Sequence, residues 1–218
     1  MITLTAFRQV PDFAKGLVRD LRVRWALEEA GMPYEARLIG FEDLADPSYR
    51  ALQPFGQVPA IQVSGGAEDG FTLFESGAIV LWIAERCPAL MPSDAGGRAK
   101  TQAWVCAALN SVEPAVQALG EIDLFHAAEP WTEKRRPIVA ERVEKRLDAL
   151  AAQLQGRDYL LDRFTAGDLM MVTVLRILRH TELVAKRPAL HTYQLRCEAR
   201  PAFRKALDDH SRPFAAAA

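Results

Sequence analysis

What most constrains this chain is a change of grammar near residue 90. Upstream, short branched and aromatic runs alternate with helical ones; downstream, only helical periodicity remains. A chain that mixes strands with helices and then abandons strands folds as two layered units rather than one. The change falls across CPALMPSDAGG at 87–97, which holds two prolines and a glycine pair, carries no periodicity and reads as a linker. At 218 residues the chain also exceeds the roughly 100–150 residues typical of one domain. The expected division is an α/β domain over 1–86, a linker over 87–98 and an all-α domain over 99–218.

Residues 2–7, rich in branched and aromatic side chains and followed by a Pro11-Asp12 break, read as a strand. Over 17–30, Leu17, Val18, Leu21 and Trp25 recur at helical spacing, and Gly31 with Pro33 supplies the stop. Residues 34–41 are extended again. Strand, helix and strand in succession imply a right-handed crossover and a parallel pair. The runs 60–63 and 71–74, joined by SGGAEDG, read instead as an antiparallel hairpin. Glu75 and Ser76 then open GAIVLWIAER, apolar on nearly every side and so a buried helix.

Beyond the linker the reading is helical throughout. The stretch 98–126 contains Pro114, which removes a backbone donor and should kink or break the helix. Between 133 and 154, Val139, Val143, Leu147, Leu150 and Leu154 repeat at steps of three and four, with Gly156 as the stop. Residues 165–180 are more apolar and suit a core helix. Segments 188–200 and 201–210 each open on a proline, allowed in a first helical turn.

With 27 Lys plus Arg against 28 Asp plus Glu, the charge balance points toward neither nucleic acid nor an acidic membrane. No apolar run approaches the ~18 residues that suggest a membrane span, and the N-terminus lacks a basic region followed by an apolar one, so a cytoplasmic protein is expected. Cys87, Cys106 and Cys197 are far apart and lack CxxC spacing. They argue against a disulfide scaffold or a zinc site and read as small buried apolar residues. His126, His180, His191 and His210 show no ligand pairing, so no metal is expected.

Three motifs remain: GQVPA at 56–60 after Gln53 and Pro54, the pair Glu75-Ser76 opening an apolar helix, and FTAGD at 164–168, a Thr-x-x-Asp capping box. A free amino-acid end carries an ammonium and a carboxylate. Glu75 can face the first, while the Ser76 hydroxyl and the helix N-terminal amides can receive the second; the plainer reading is that Ser76 only caps the helix. In this combination and order the motifs resemble the glutathione transferase family over almost the whole chain. The resemblance implies a thioredoxin-like N-terminal domain and an all-helical C-terminal one. It also implies a cis Pro59, Val58 pairing its backbone with the cysteinyl part of glutathione, Glu75 and Ser76 holding the γ-glutamyl group, and Gln57 near the glycyl carboxylate. FTAGD is similar to the folding signature of the family's second domain and carries no chemistry.

A transferase must hold glutathione as thiolate, since a free thiol is mostly protonated at neutral pH. Family members commonly supply a Tyr, Ser or Cys early in the first domain, and this chain has none between Met1 and Pro33, only Thr3 and Thr5. Arg8 and Lys15 are the candidates for electrostatic activation, unless they are simply solvated. By the same resemblance Asn110, Glu113, Arg176 and Arg179 are candidates for an acceptor pocket between the domains. Arg176 and Arg179 share a helix face, which an interdomain salt bridge would explain equally well. The expectation is a cytoplasmic homodimer, without a metal, that uses glutathione as co-substrate against a small electrophile by conjugation, reduction or isomerisation. The alternative is a non-catalytic glutathione-binding or protein-interaction module on the same fold.

Overall fold

The computed structural model describes residues 1–65 and 70–216, so most of the SGGAEDG connection lies outside the described residues. Strands β1 (Ile2–Phe7) and β2 (Tyr34–Ile39) pair in parallel from Ile2 opposite Tyr34 to Phe7 opposite Ile39. Between them runs α1 (Asp20–Ala30), which buries Leu21, Val23, Trp25, Ala26 and Leu27 and stops at Gly31 with φ +61°. Strand β3 (Ala60–Val63) runs antiparallel to β1 and carries β4 (Phe71–Phe74) antiparallel on its other side, giving the order β2-β1-β3-β4. This is the mixed sheet expected from the sequence. A short helix missing from that reading, α2 (Pro47–Arg50), follows β2; Asp46 caps it by accepting from the Ser48 amide at 2.7 Å. The apolar α3 (Ser76–Ala84) follows β4 and buries Ile79, Val80 and Ile83.

Compact units divide after Leu90, and the first takes in the last helix, α9 (Pro201–Ala216). Sequence order groups that helix with the helical domain, but its buried stripe of Phe203, Ala206, His210 and Phe214 packs on α1. Phe203 meets Trp25 edge-on at 4.7 Å, and Lys205 donates to Glu28 at 2.7 Å.

The second unit runs from Met91 to Arg200 and holds α4 (Ala95–Ala107), α5 (Glu113–Phe125), α6 (Thr132–Gln153), α7 (Ala166–Leu175) and α8 (Pro188–Glu198). The break expected at Pro114 lies just before it. A π turn spans Ala108–Val112, and Pro114 occupies the first turn of α5, where its missing donor costs no helical bond. Every residue of α7 is buried. Its capping box is complete, with Thr165 and Asp168 bonding reciprocally across the first turn. All three cysteines are free; Cys87 and Cys197 are buried as expected, whereas Cys106 is exposed on α4. Among the described residues no helix is long and apolar enough to cross a membrane.

Candidate functional site

Four chain segments meet at one end of the sheet. The β3–β4 register ends at Ala60 opposite Phe74, so Val58 and Ser76, two residues beyond on either side, occupy the same end. The antiparallel β1–β3 register brings the carboxyl end of β1 there too, and with it the end of β2.

The turn that delivers Val58 is fixed from within. Buried Gln53 accepts the Phe55 amide at 2.7 Å and the Gln57 amide at 3.2 Å through one side-chain oxygen. Gly56 sits at φ +60°, and a Cβ there would stand 2.6 Å from the Leu44 carbonyl, so only glycine fits. Tyr49 donates its phenol to the Gln57 carbonyl at 2.5 Å. Burial, only partly offset by Arg37 and by the Thr5 hydroxyl, pushes the Tyr49 phenol up to about 12, which keeps it a donor. The Val58–Pro59 bond is cis. Val58 packs its side chain on Ile39 and Tyr49, with Phe7, Val18, Leu44 and Leu52 around them. It precedes the β3 ladder, so sheet pairing does not consume its backbone. The side chain of Gln57 is exposed beside it.

Across this end, Glu75 takes φ +68° and ψ 115°. A non-glycine residue in that region is strained, and such strain concentrates at ligand clamps. Glu75 is the N-cap of α3, yet its side chain makes no capping bond. Ser76 is the first residue inside the helix rather than its cap, which removes the plainer reading of that serine. Its buried hydroxyl accepts from Arg22 Nη1 at 3.2 Å and keeps its own proton to donate. Arg22 is itself only 2% exposed. It lies in the first turn of α1 and is not among the residues that the sequence motifs single out. The signal was an arginine amid buried positions of RVRWALEE, but nothing local says which way it turns.

The activation candidates are less committed. Arg8 lines a cleft of about 570 Å³ with Gln9, Val10, Pro11, Gly40, Phe41 and Glu42, at the carboxyl ends of β1 and β2. Its guanidinium lies 3.5 Å from Glu42 with both side chains largely exposed, so the pairing is weak. Lys15 does not line this cleft; it pairs with exposed Asp12 at 2.7 Å. Thr5 is buried against the Tyr49 phenol.

Within the helical unit the four acceptor candidates diverge. Asn110 lines a cleft with Ser111, Arg135, Arg142 and Arg146, whereas Glu113 is buried at the start of α5. Arg176, in a 3-10 turn after α7, pairs with Glu198 of α8 at 3.0 Å, a salt bridge within the helical unit rather than the interdomain one that the sequence left open. Arg179 lines a separate cleft with Glu182 and His191; burial and the neighbouring Arg176 lower its affinity for its proton. Among the described residues no three His, Cys, Asp or Glu side chains converge as a metal site requires.

Comparison with known proteins bears on the family and the fold. The glutathione S-transferase N-terminal domain matches residues 21–86, and the C-terminal domain of the same family matches residues 117–201. Glutathione S-transferase 3 of Zea mays is 32% identical over 202 residues, 85% of this chain and 86% of that protein. Probable maleylacetoacetate isomerase 2 of Drosophila melanogaster is 31% identical over 198 residues, 85% of this chain and 81% of that one. Matches to four other relatives are partial and span 27% to 43% of their lengths. Among solved structures, a glutathione transferase of Burkholderia graminis with two glutathione molecules bound per subunit is similar at TM-score 0.83 and 28% identity. That likeness covers 95% of this chain and 87% of the other.

Proposed function

This chain belongs to the glutathione S-transferase family, and we propose that it binds glutathione at the sheet end built by Val58, Glu75 and Ser76 and turns its thiol on a small electrophile. The observation that carries the reading is Glu75. Held at φ +68° with its carboxylate unused by the helix, it stands beside a buried serine hydroxyl that still has a proton to donate. That pair, with the α3 amides, matches an amino-acid end that brings one ammonium and one carboxylate. Arg22 adds positive charge behind Ser76. Val58 offers its free backbone to the cysteinyl unit as an added strand would, Pro59 shapes the turn, and exposed Gln57 meets the glycyl end.

The acceptor is assigned to the cleft beside Arg8 and Phe41, which opens at the carboxyl ends of β1 and β2, the same end of the sheet as Val58 and Ser76. Conjugation, reduction and isomerisation all begin with the same thiolate, and relatives include both transferases and an isomerase. A cytoplasmic homodimer belongs to the same proposal. A second reading, a binding module without catalysis, has its own support: Thr5, the nearest hydroxyl, is buried against Tyr49, and the two candidate cations are already paired with exposed carboxylates.

Calorimetric titration with glutathione tests the site. Glu75→Ala and Ser76→Ala should each weaken binding by more than about tenfold, because charge-assisted hydrogen bonds contribute roughly 1.5–3 kcal/mol. Unfolding midpoints should change little. Unchanged affinity in both variants would remove the assignment. The thiolate absorbance of bound glutathione against pH then separates catalyst from module: a thiol pKa no lower than that of free glutathione favours the module.

A further inference from the structure

We infer that His210, on the last helix, is a positioning residue for the glutathione site, acting through the loop between β1 and α1; the inference rests on the glutathione reading above. The loop begins where the Arg8 amide donates to the Ile39 carbonyl at 2.8 Å, at the mouth of the Arg8 cleft. It ends in α1, whose Arg22 reaches Ser76. On the way Val18 packs against the cluster that seats Val58. Whatever holds this loop therefore holds three walls of the site.

His210 holds its middle. The imidazole is 1% exposed and joins residues nearly two hundred positions apart. Gly16 donates its backbone N–H to Nε2 at 3.1 Å, and Nδ1 stands 3.1 Å from Asp20 Oδ2. A backbone amide can only donate, so Nε2 must offer its lone pair and the ring proton sits on Nδ1, donating to Asp20. Asp20 is 2% exposed and receives Arg24 Nε at 2.8 Å on the same oxygen. The ring is oriented by Asp20 and its edge by Phe214 at 5.2 Å. Gly16 itself takes φ +76°, a conformation favoured by glycine, and brings its amide to the ring. His210 thus clamps both ends of the bend from Gly16 to Asp20. Without it the loop would have to be ordered by the ligand, and that ordering reduces apparent affinity by the fraction of loop already in place.

The test uses the full chain as wild type, His210→Phe and His210→Gln. Phenylalanine keeps a ring but neither bond; glutamine keeps an acceptor for Gly16 and a donor for Asp20. Without ligand, amide exchange over residues 12–19 should quicken more than about tenfold in His210→Phe and return toward wild type in His210→Gln, with exchange in β1 and β3 unchanged. Glutathione affinity should fall roughly fivefold in the first variant and recover in the second. Equal loop protection in all three proteins overturns the inference. So does an unchanged affinity in a His210→Phe protein whose loop exchanges quickly, or a loss that glutamine fails to restore. If the wild type binds no glutathione, the proposed function fails, and the exchange comparison still decides whether His210 holds the loop. Should His210→Phe not fold, the nitrogen-15 shifts of the wild-type ring decide: protonated Nδ1 with bare Nε2 supports the clamp, and a proton on Nε2 overturns it.

Discussion

Two aspartates, one in each compact unit, show how the same residue at the same depth serves different ends. Asp20 opens α1 and is 2% exposed; Asp168 lies in the first turn of α7 and is fully buried. Around Asp168 every partner is neutral: the Leu160 amide at 2.9 Å, the Thr165 amide at 2.8 Å, and the hydroxyls of Thr165 and Tyr193 at 3.1 Å each. Asp20 has Arg24 and His210 on one oxygen, and its other oxygen has no partner among the described residues. Burial raises Asp168 above the ordinary carboxylate range despite its hydrogen bonds. Burial pushes Asp20 the same way, but the hydrogen bond from His210 and the guanidinium of Arg24 outweigh it and hold the carboxyl below that range. A saturated neutral shell makes a staple that fastens one place; a charged, half-satisfied shell ties distant segments together.

The largest expected effect tests the staple. Asp168→Ala strips the acceptor from four buried donors, Leu160 N, Thr165 N and the hydroxyls of Thr165 and Tyr193. At about 1–3 kcal/mol for each orphaned group the loss should reach about 5 kcal/mol, a large share of the stability of an ordinary domain. Urea unfolding followed by tryptophan fluorescence would show it. A loss under about 1 kcal/mol would mean that water replaces the carboxylate, and that the contrast with Asp20 is superficial.

Sequence legibility follows the same divide. FTAGD spans five residues and shows its reciprocal capping bonds in itself, so Thr165 and Asp168 were legible. The strands, their pairing and the Val58-Pro59 and Glu75-Ser76 motifs are equally local. Leu160 and Tyr193 were not legible as partners of Asp168, nor Arg22 as the partner of Ser76, because each contact is made by the fold and not by spacing. The same holds for α9: periodicity showed a helix and could not say which unit would cover its apolar stripe. Nothing near Asp20 points to a histidine 190 residues away. Local reciprocity can be read; long-range pairing cannot.

A smaller effect sharpens the comparison by separating stability from binding. Asp20→Asn keeps hydrogen-bonding oxygen and shape but leaves Arg24, 3% exposed, without its buried counter-charge. Breaking a buried pair costs about 3 kcal/mol or more, and the retained hydrogen bonds place this variant at the low end. The same change loosens the seat of His210, so glutathione affinity should fall as well. In Asp168→Asn stability should drop while affinity stays, provided the protein is held below its unfolding transition. Calorimetry on both variants decides; a matching loss of affinity in Asp168→Asn would erase the functional difference between the two sites.

The smallest expected effect is in the pH dependence of stability, where the two aspartates should act with opposite sign. Asp20 has a folded pKa below its ordinary value of 3.8, so the unfolded chain binds its proton first as pH falls. Its contribution is fully present above that value and is lost as pH drops through the lower folded pKa. Asp168 has a folded pKa above 3.8, so between the two values the native state binds the extra proton and stability rises as pH falls through that window. Urea midpoints measured from neutral pH to below 3.8 should therefore show the acid-side loss flattened in Asp20→Asn. In Asp168→Asn the gain just above 3.8 should disappear instead. If Asp168→Asn leaves that upper window unchanged, the two amide donors and two hydroxyls of its shell suffice to keep a buried carboxylate ionised, and the contrast lies in connectivity alone. If Asp20→Asn leaves the acid loss unchanged, Arg24 and His210 do not hold its charge, and the clamp on Gly16 must rest on hydrogen-bond geometry without electrostatic help.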